Sequence, residues 1–526
     1  MSRRPSGSPA PELPDALLAR GAWPGAEAEV TLVETHISWV FLVGCRAYKV
    51  KKPVKLDFLD FSTQALRRHF CEEELRINRR FAPGLYLGLS RVVRSDAGLA
   101  VDRDGEVVDW AVRMQRFDRS QELDALLARD AVAREALEDF GTRLAGQHQA
   151  APVAAAGSRW ASPARNLRAC RENFETLRRL APESLGPRID AFEQWTLERY
   201  TALEPRFARR VADGRFRECH GDLHCANVVR HDDELWAFDA LEFDPGLRWI
   251  DVANDVAFLY MDLRARGRDD LASALLDGWL ATSGDFDALG VLRFYEAYRA
   301  GVRAKVAAIR AAQAGGPEAD EGLHRQVATY LGDAERVMQA PAPVLVVTTG
   351  LSGSGKSWLA SRLLAPLGAV RLRSDVERKR LAGLAAGANS GGGIYSAEMT
   401  HRTYERLAQL ARAALGDGFS VIVDAACLLA SERQAFRALA RDLGVRHRLL
   451  WVEAGQATLE SRLAARASAG RDPSEADAQV LALQQEIAEP PTAAEQVETV
   501  RVDTGDGPPD LEALARALRG PRQPAP

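Results

Sequence analysis

Two kinds of hydrophobic spacing alternate along the chain. Residues 37–43 and 47–50 are short β-rich runs separated by Gly44, which predicts a hairpin, and residues 110–117 form a further apolar strand. Between them, Phe70, Ile77 and Phe81 fall on one stripe and predict a helix over 63–80. Glu74 lies on that stripe, four residues after Phe70, whereas Glu72 lies on the opposite side. A carboxylate on a buried face needs a partner. Helical patterns then dominate as far as Gln149, across 166–211, from 291 to 312, and after a Gly315-Gly316-Pro317 break to about Met338. Pro341-Ala342-Pro343 forms a stiff junction. Beyond it, β runs near 344–347, 369–373, 420–424, 447–452 and 499–502 alternate with helices, the pattern of a parallel sheet covered on both faces. The expected fold is an α+β two-lobed domain over 22–338, a junction at 339–343, and an α/β domain over 344–526. Residues 1–21, which begin rich in Pro, Ser and Gly, are expected to be a flexible tail.

Composition narrows this only slightly. A chain of 526 residues accommodates two or three domains. A net charge of −4 leaves no footprint for nonspecific nucleic-acid binding. The apolar runs fall far short of the roughly 20 residues that cross a bilayer, and no apolar segment follows the basic start Ser2-Arg3-Arg4. The six cysteines form no Cys-x-x-Cys pair, so a reducing cytoplasm is the expected compartment. Only seven of the 69 basic residues are lysines. In a chain that otherwise uses arginine, a lysine marks a place suited to a compact ammonium.

The chemistry concentrates in His220-Gly221-Asp222-Leu223-His224-Cys225-Ala226-Asn227, with Asp239 twelve residues after Asn227 at the end of an apolar run. In a phosphoryl-transfer loop the Asp accepts the proton of the attacking hydroxyl, and the Asn five positions on turns back to hold magnesium. Asp239 offers a second hard oxygen ligand. Here the chain resembles the aminoglycoside phosphotransferase family, whose loop reads His-Gly-Asp. The resemblance implies a bilobal kinase-like domain and places Lys49, in Ala47-x-Lys49, on the α and β phosphates with Glu74 as its ion-pair partner. Glu73 is the fallback partner, and a solvated strand end with Lys51, Lys52 and Lys55 is the other reading of Lys49. Residues 35–39 contain no glycine, so the loop covering the phosphates departs from Gly-x-Gly-x-x-Gly. Asp255 is expected to support the loop, and Asp251 to be a helix-end charge or cap. The acids Glu242, Asp244, Asp251 and Asp255 read either as a receptor for a cationic substrate or as metal site and solvated surface. Cys219, His220, His224 and Cys225 are also zinc-ligand types, although the loop accounts for them without zinc.

The second motif is Gly350-Leu351-Ser352-Gly353-Ser354-Gly355-Lys356-Ser357, between a β run and a helix, the context a P-loop requires. Its backbone N–H groups suit phosphate oxygens. Lys356 would bridge the β and γ phosphates and Ser357 would bind magnesium, while Asp424 stands where a Walker B carboxylate would. This half resembles small P-loop kinases related to polynucleotide kinase and gluconate kinase. The resemblance implies Asp375 as general base, Arg378 as a substrate contact, and Arg462 and Arg466, before a break at 470–473, as lid arginines. The combined expectation is an ATP- and magnesium-dependent enzyme with two phosphoryl-transfer sites acting on hydroxyls of small molecules. Its rivals are a polynucleotide 5′-hydroxyl kinase in the C-terminal half and a regulatory nucleotide-binding module in the N-terminal half.

Overall fold

In the computed structural model, the residues described are 13–24, 29–56, 59–96, 98–313, 317–388, 390, 393–469, 474–505 and 507–520. Residues 1–12 of the expected tail, Gly315-Gly316 and the 470–473 break lie outside them. By its contacts the chain divides into two compact units. The first comprises residues 1–136, 147–164 and 208–259, and the second 137–146, 165–207 and 260–526.

The first unit is built on a six-stranded antiparallel sheet. Its order is Val30–Glu34, Ser38–Val43, Arg46–Lys51, Glu106–Gln115, Tyr86–Ser95 and Gly98–Val101. The hairpin pairs Val40 with Lys49. Alternation along Arg46–Lys51 sends Tyr48 and Val50 to one core, with Phe41 and Val92, and Ala47 to another, with Cys71 and Met114. The expected tail is shorter than predicted. Leu13–Leu17 is a helix and Arg20–Ala22 a 3₁₀ turn, because Leu13, Leu17, Ala22 and Trp23 are buried among the sheet residues. Trp23 donates its indole N–H to the Leu17 carbonyl at 2.7 Å and packs 4.6 Å from the Tyr48 ring.

The helix Gln64–Phe81 begins at Thr63, whose hydroxyl accepts the Leu66 N–H. It buries Arg67, Glu74 and Asn78 together with Cys71, Ile77 and Phe81. Arg67 is fully buried and meets the equally buried Asp109 of strand Glu106–Gln115 at 2.9 Å. Near the helix C-terminus, Asn78 Oδ1 accepts the Ala240 N–H at 2.8 Å. The helix is thus tied to the sheet near one end and to the segment after Asp239 near the other.

In the second unit the five strands are all parallel, in the order Ala369–Arg373, Ser420–Asp424, Val344–Thr349, Arg446–Glu453 and Thr499–Asp503. The central strand Val344–Thr349 is buried at every position, as a strand covered on both faces must be. The carboxyl ends of these strands bring residues 350–357, Asp375, Asp424 and Thr504 to one edge, where ligands of open parallel sheets bind. No helix among the described residues is long and apolar enough to cross a membrane.

Arg67→Ala should strand Asp109 without its counter-charge and lower the unfolding free energy by about 3–5 kcal/mol, read by chemical denaturation. Arg67→Lys should recover part of the loss.

Candidate functional sites

The first site forms where three separated segments meet. Lys49 Nζ lies 2.9 Å from Glu74 Oε1 and 2.5 Å from Asp239 Oδ1. Glu74 is therefore the partner of Lys49, and the fallback Glu73 instead pairs with Arg76 at 2.8 Å and Arg248 at 3.1 Å. Lys51 is not a solvated strand end. It is fully buried, 2.7 Å from Glu74 Oε2, and also paired with Glu242. Burial alone would push the Glu74 carboxyl up, but the two ammonium groups overcome it and hold it at about 2. Glu242 is pushed up by burial, against the pull of Lys51. The sequence placed Lys51 on a solvated strand end and Glu242 among the acids near the metal site, and their buried pairing escaped it, although residues 49 and 51 share one face of a strand by the two-residue period.

The His-Gly-Asp loop is suspended between strands Phe216–Glu218 and Val228–His231. At Gly221 φ is +86°, and a Cβ there would stand 2.7 Å from the Leu247 carbonyl oxygen, so only glycine fits the bend. Asp255 supports the loop as expected: Oδ2 accepts the His220 N–H at 3.0 Å and Oδ1 the Gly221 N–H at 2.8 Å. His148 Nε2 lies 3.0 Å from the same carboxylate. Burial raises the Asp255 carboxyl, and the His148 contact and the loop amides reverse this, bringing it to about 2. His220 Nδ1 accepts the Asp222 N–H at 3.3 Å and Nε2 lies 2.9 Å from the Phe238 carbonyl. Together these require the Nε2–H tautomer, and burial lowers the His220 pKa.

Asn227 Nδ2 donates to the Asp222 carbonyl at 2.9 Å and to Asp222 Oδ2 at 3.1 Å. The Phe238 N–H donates to the Asn227 carbonyl at 2.9 Å, which sets Asp239 one residue beyond that bond. Asp239 adopts φ +61° and donates its N–H to the Tyr86 hydroxyl. Asp222, Asn227 and Asp239 thus belong to one bonded neighbourhood, with Lys49 reaching it from the sheet. The acids read as a receptor for a cation are engaged internally. Asp251 pairs with Arg210 at 2.7 Å, Asp244 caps the short helix Pro245–Arg248, and Glu242 meets Lys51. The four zinc-type residues do not form the converging set. Among the described residues that set is His148, Cys219 and Asp255, whose carboxylate is already bonded as above.

The second site lines a cavity of about 310 Å³ that includes Lys356, Ser357, Asp375, Arg378, Asp424 and Arg466. At Gly350 φ is +145° and a Cβ would come within 2.2 Å of the Val452 carbonyl oxygen, so the turn leaves the strand where no side chain fits. Ser357 Oγ donates to Asp424 Oδ1 at 2.9 Å, while Asp424 Oδ2 and Ser354 Oγ are buried without a hydrogen-bond partner. An oxygen pair with one acceptor left open suits a hard cation, so these residues fit magnesium. Lys356 donates to the Leu351 carbonyl at 2.7 Å, closing the loop 350–357 on itself, and the Ser352 N–H donates to Gln484 Oε1 at 2.8 Å. Burial lowers the Lys356 ammonium to about 8, against the pull of Asp424 and Asp375.

Asp375 accepts from Arg378 Nη1 at 3.0 Å on the helix Ser374–Leu381. Arg462 donates to Thr504 Oγ1 at 2.7 Å and to the Gly353 carbonyl at 3.3 Å, so it braces the loop instead of standing off it. Arg466 donates to the Ala476 carbonyl. Tyr395, Tyr404 and Glu475 also line this cavity, and no spacing in the sequence marked them.

A carboxylate-supported His-Gly-Asp loop facing a lysine–glutamate pair, and a P-loop on a parallel sheet, define a chain with two kinase-type domains. Residues 63–295 match the model of the phosphotransferase enzyme family and residues 345–491 that of the AAA domain. The chain belongs to one family with proteins of Mycobacterium tuberculosis and Mycobacterium bovis that are 33% identical over 431 residues, covering 79% of this chain and 82% of each relative. Among solved structures, a choline/ethanolamine kinase family protein from Mesorhizobium loti is 12% identical over 60% of this chain and 90% of its own, with a TM-score of 0.38. A gluconokinase from Sinorhizobium meliloti is 22% identical over 34% of this chain and 90% of its own, with a TM-score of 0.23.

Because the folded Asp255 carboxyl lies below its ordinary value of 3.8, its stabilisation is complete above about pH 4 and is lost as pH falls toward 2, on the order of 2 kcal/mol. Asp255→Asn should remove that part of the acid limb in unfolding curves recorded between pH 2 and 6.

Proposed function

We propose that the chain is an ATP- and magnesium-dependent phosphotransferase with two transfer sites, each acting on a hydroxyl of a small molecule, in modules that meet at residues 339–343. None of the six cysteines is in a disulfide, which suits a reducing cytoplasm. The observation that carries the reading is the Ser357–Asp424 pair opening on the cavity that also holds Lys356 and Asp375. Magnesium bound at either site supplies positive charge to the transferring phosphoryl group.

In the second module, residues 350–357 wrap the phosphates, with Gly350, Gly353 and Gly355 in left-handed backbone conformations that turn amides inward. Lys356 exchanges the Leu351 carbonyl for phosphate oxygens, and Ser357 and Asp424 hold the cation. Asp375 takes the acceptor proton, with Arg378 setting its orientation, and Arg466 faces the phosphoryl group. Arg462 is better placed as a brace at the cavity it lines with Trp358, Thr504, Gly507 and Pro508, where a fixed guanidinium plane offers a stacking face to a base.

In the first module, Asp222 accepts the proton, Asn227 and Asp239 hold the cation, and Lys49, fixed by Glu74, meets the α and β phosphates. The charge of that lysine is held by Asp239 and Glu74 against burial, which suits a phosphate contact at neutral pH.

Asp222→Asn should abolish one ATP-dependent transfer and Lys356→Ala another, each by at least about 10³-fold. The check is phosphate transfer from labelled ATP to a metabolite pool, with oligonucleotides as a second acceptor class. One activity removed by both substitutions would sink the two-site reading, and transfer to oligonucleotide alone would favour the polynucleotide kinase. Phosphate binding favours the charged form of Lys356. Nucleotide affinity at the P-loop should therefore be full below about pH 8 and weaken above it, and Lys356→Ala should flatten that dependence in binding titrations.

A further inference from the structure

Arg371 sits in the strand Ala369–Arg373, in register with Ile422 of its neighbour. Its side chain is 4% exposed. A guanidinium among packed strands needs its charge and donors satisfied, and nearly everything that satisfies it comes from outside the sheet. Nε donates to Asp277 Oδ1 at 3.2 Å and Nη2 to Asp277 Oδ2. Nη2 also reaches Glu138 Oε1 at 3.3 Å. Nη1 donates to the carbonyl of Ser357 at 3.2 Å. Asp277 belongs to the helix Asp269–Ser283 and is itself buried. Asp277 and Glu138 both fall within the stretch matching the phosphotransferase family, whereas Arg371 and Asp424 fall within the AAA match.

Asp424 Oδ1 takes the Ser357 hydroxyl. Asp424 Oδ2 is buried without a hydrogen-bond partner, although Arg371 Nη1 and Arg373 Nε each stand 3.7 Å from it. That separation is beyond a hydrogen bond. One small rotation of Arg371 would turn this long ion pair into a direct hydrogen bond, occupying the oxygen left open to a cation. What prevents this is the engagement of Arg371 with Asp277, Glu138 and the Ser357 carbonyl.

We infer that Arg371 is a positioning residue of the P-loop site, held back from Asp424 by Asp277 and Glu138 so that Asp424 Oδ2 stays open to the metal ion. The inference rests on the proposed role of Asp424. It makes two carboxylates of the phosphotransferase-type sequence determinants of cation binding in the P-loop module. With Asp277 neutralised, Arg371 turns to Asp424 and competes with the cation.

The test uses the full-length protein, with Lys356→Ala titrated alongside so that the P-loop site is read by difference. Binding of ADP is titrated calorimetrically with and without magnesium, and thermal unfolding is followed in parallel. Asp277→Asn should raise the half-saturating magnesium concentration about tenfold, the low end of the effect of losing an outer-shell partner, while magnesium-free ADP affinity stays unchanged. Asp277→Glu should restore the original dependence. Asp277→Asn combined with Arg371→Met should also return it, because no guanidinium is left to compete. A magnesium dependence unmoved by Asp277→Asn, or a double variant as weak as the single one, overturns the inference. Magnesium-assisted binding that survives Asp424→Asn overturns the role of Asp424 itself, and the inference with it.

Discussion

A buried carboxylate held by two ammonium groups organises the first candidate site. Glu74 enters the interior on a helix that also buries Cys71, Ile77 and Phe81, and desolvation alone would protonate it. Lys49 and Lys51, two residues apart on one strand, supply the charge that keeps it ionised. Those lysines also reach Asp239 and Glu242 from a segment about 190 residues away in the chain. Helix, strand and the segment 239–242 are therefore fixed by one electrostatic balance. Removing any member leaves a charge inside the protein without compensation, a far larger penalty than the loss of a surface ion pair.

The two candidate sites are built by different means. In the first, charged side chains from distant segments neutralise one another, and the loop carrying Asp222 is held by Asp255 through backbone amides. In the second, the backbone does most of the work, with glycine conformations setting the turn and Ser357, at the start of the helix Lys356–Arg362, touching Asp424 at the end of its strand. A P-loop needs little from elsewhere in the chain, which makes Arg371, with its partners beyond the sheet, the unusual member of that site.

This contrast explains what could be read from the sequence. The P-loop, the five strands around it and the helix bearing Glu74 are local patterns, and they emerge with boundaries within a residue or two. The Lys49–Glu74 pair was accessible because stripe position and residue type agreed. The buried pairings of Lys51, Glu242, His148 and Arg371 were not legible, since a charged residue declares its burial only through a partner, and theirs lie from 23 to 233 residues away. The short N-terminal helix was hidden by the Pro, Ser and Gly around it. Its Leu-x3-Leu spacing is too brief to carry a periodicity argument.

That helix bears on how the chain can be divided. The phosphotransferase match begins at residue 63, yet Leu13, Leu17 and Trp23 share a core cluster with Tyr48, the immediate neighbour of Lys49, and the Trp23 ring packs against it. A fragment cut at the edge of the match would keep Glu74, Asp239 and Glu242 and discard both lysines that balance them, leaving three acids crowded with no cation. Any excised version of this module has to start ahead of Leu13 to retain a working charge balance.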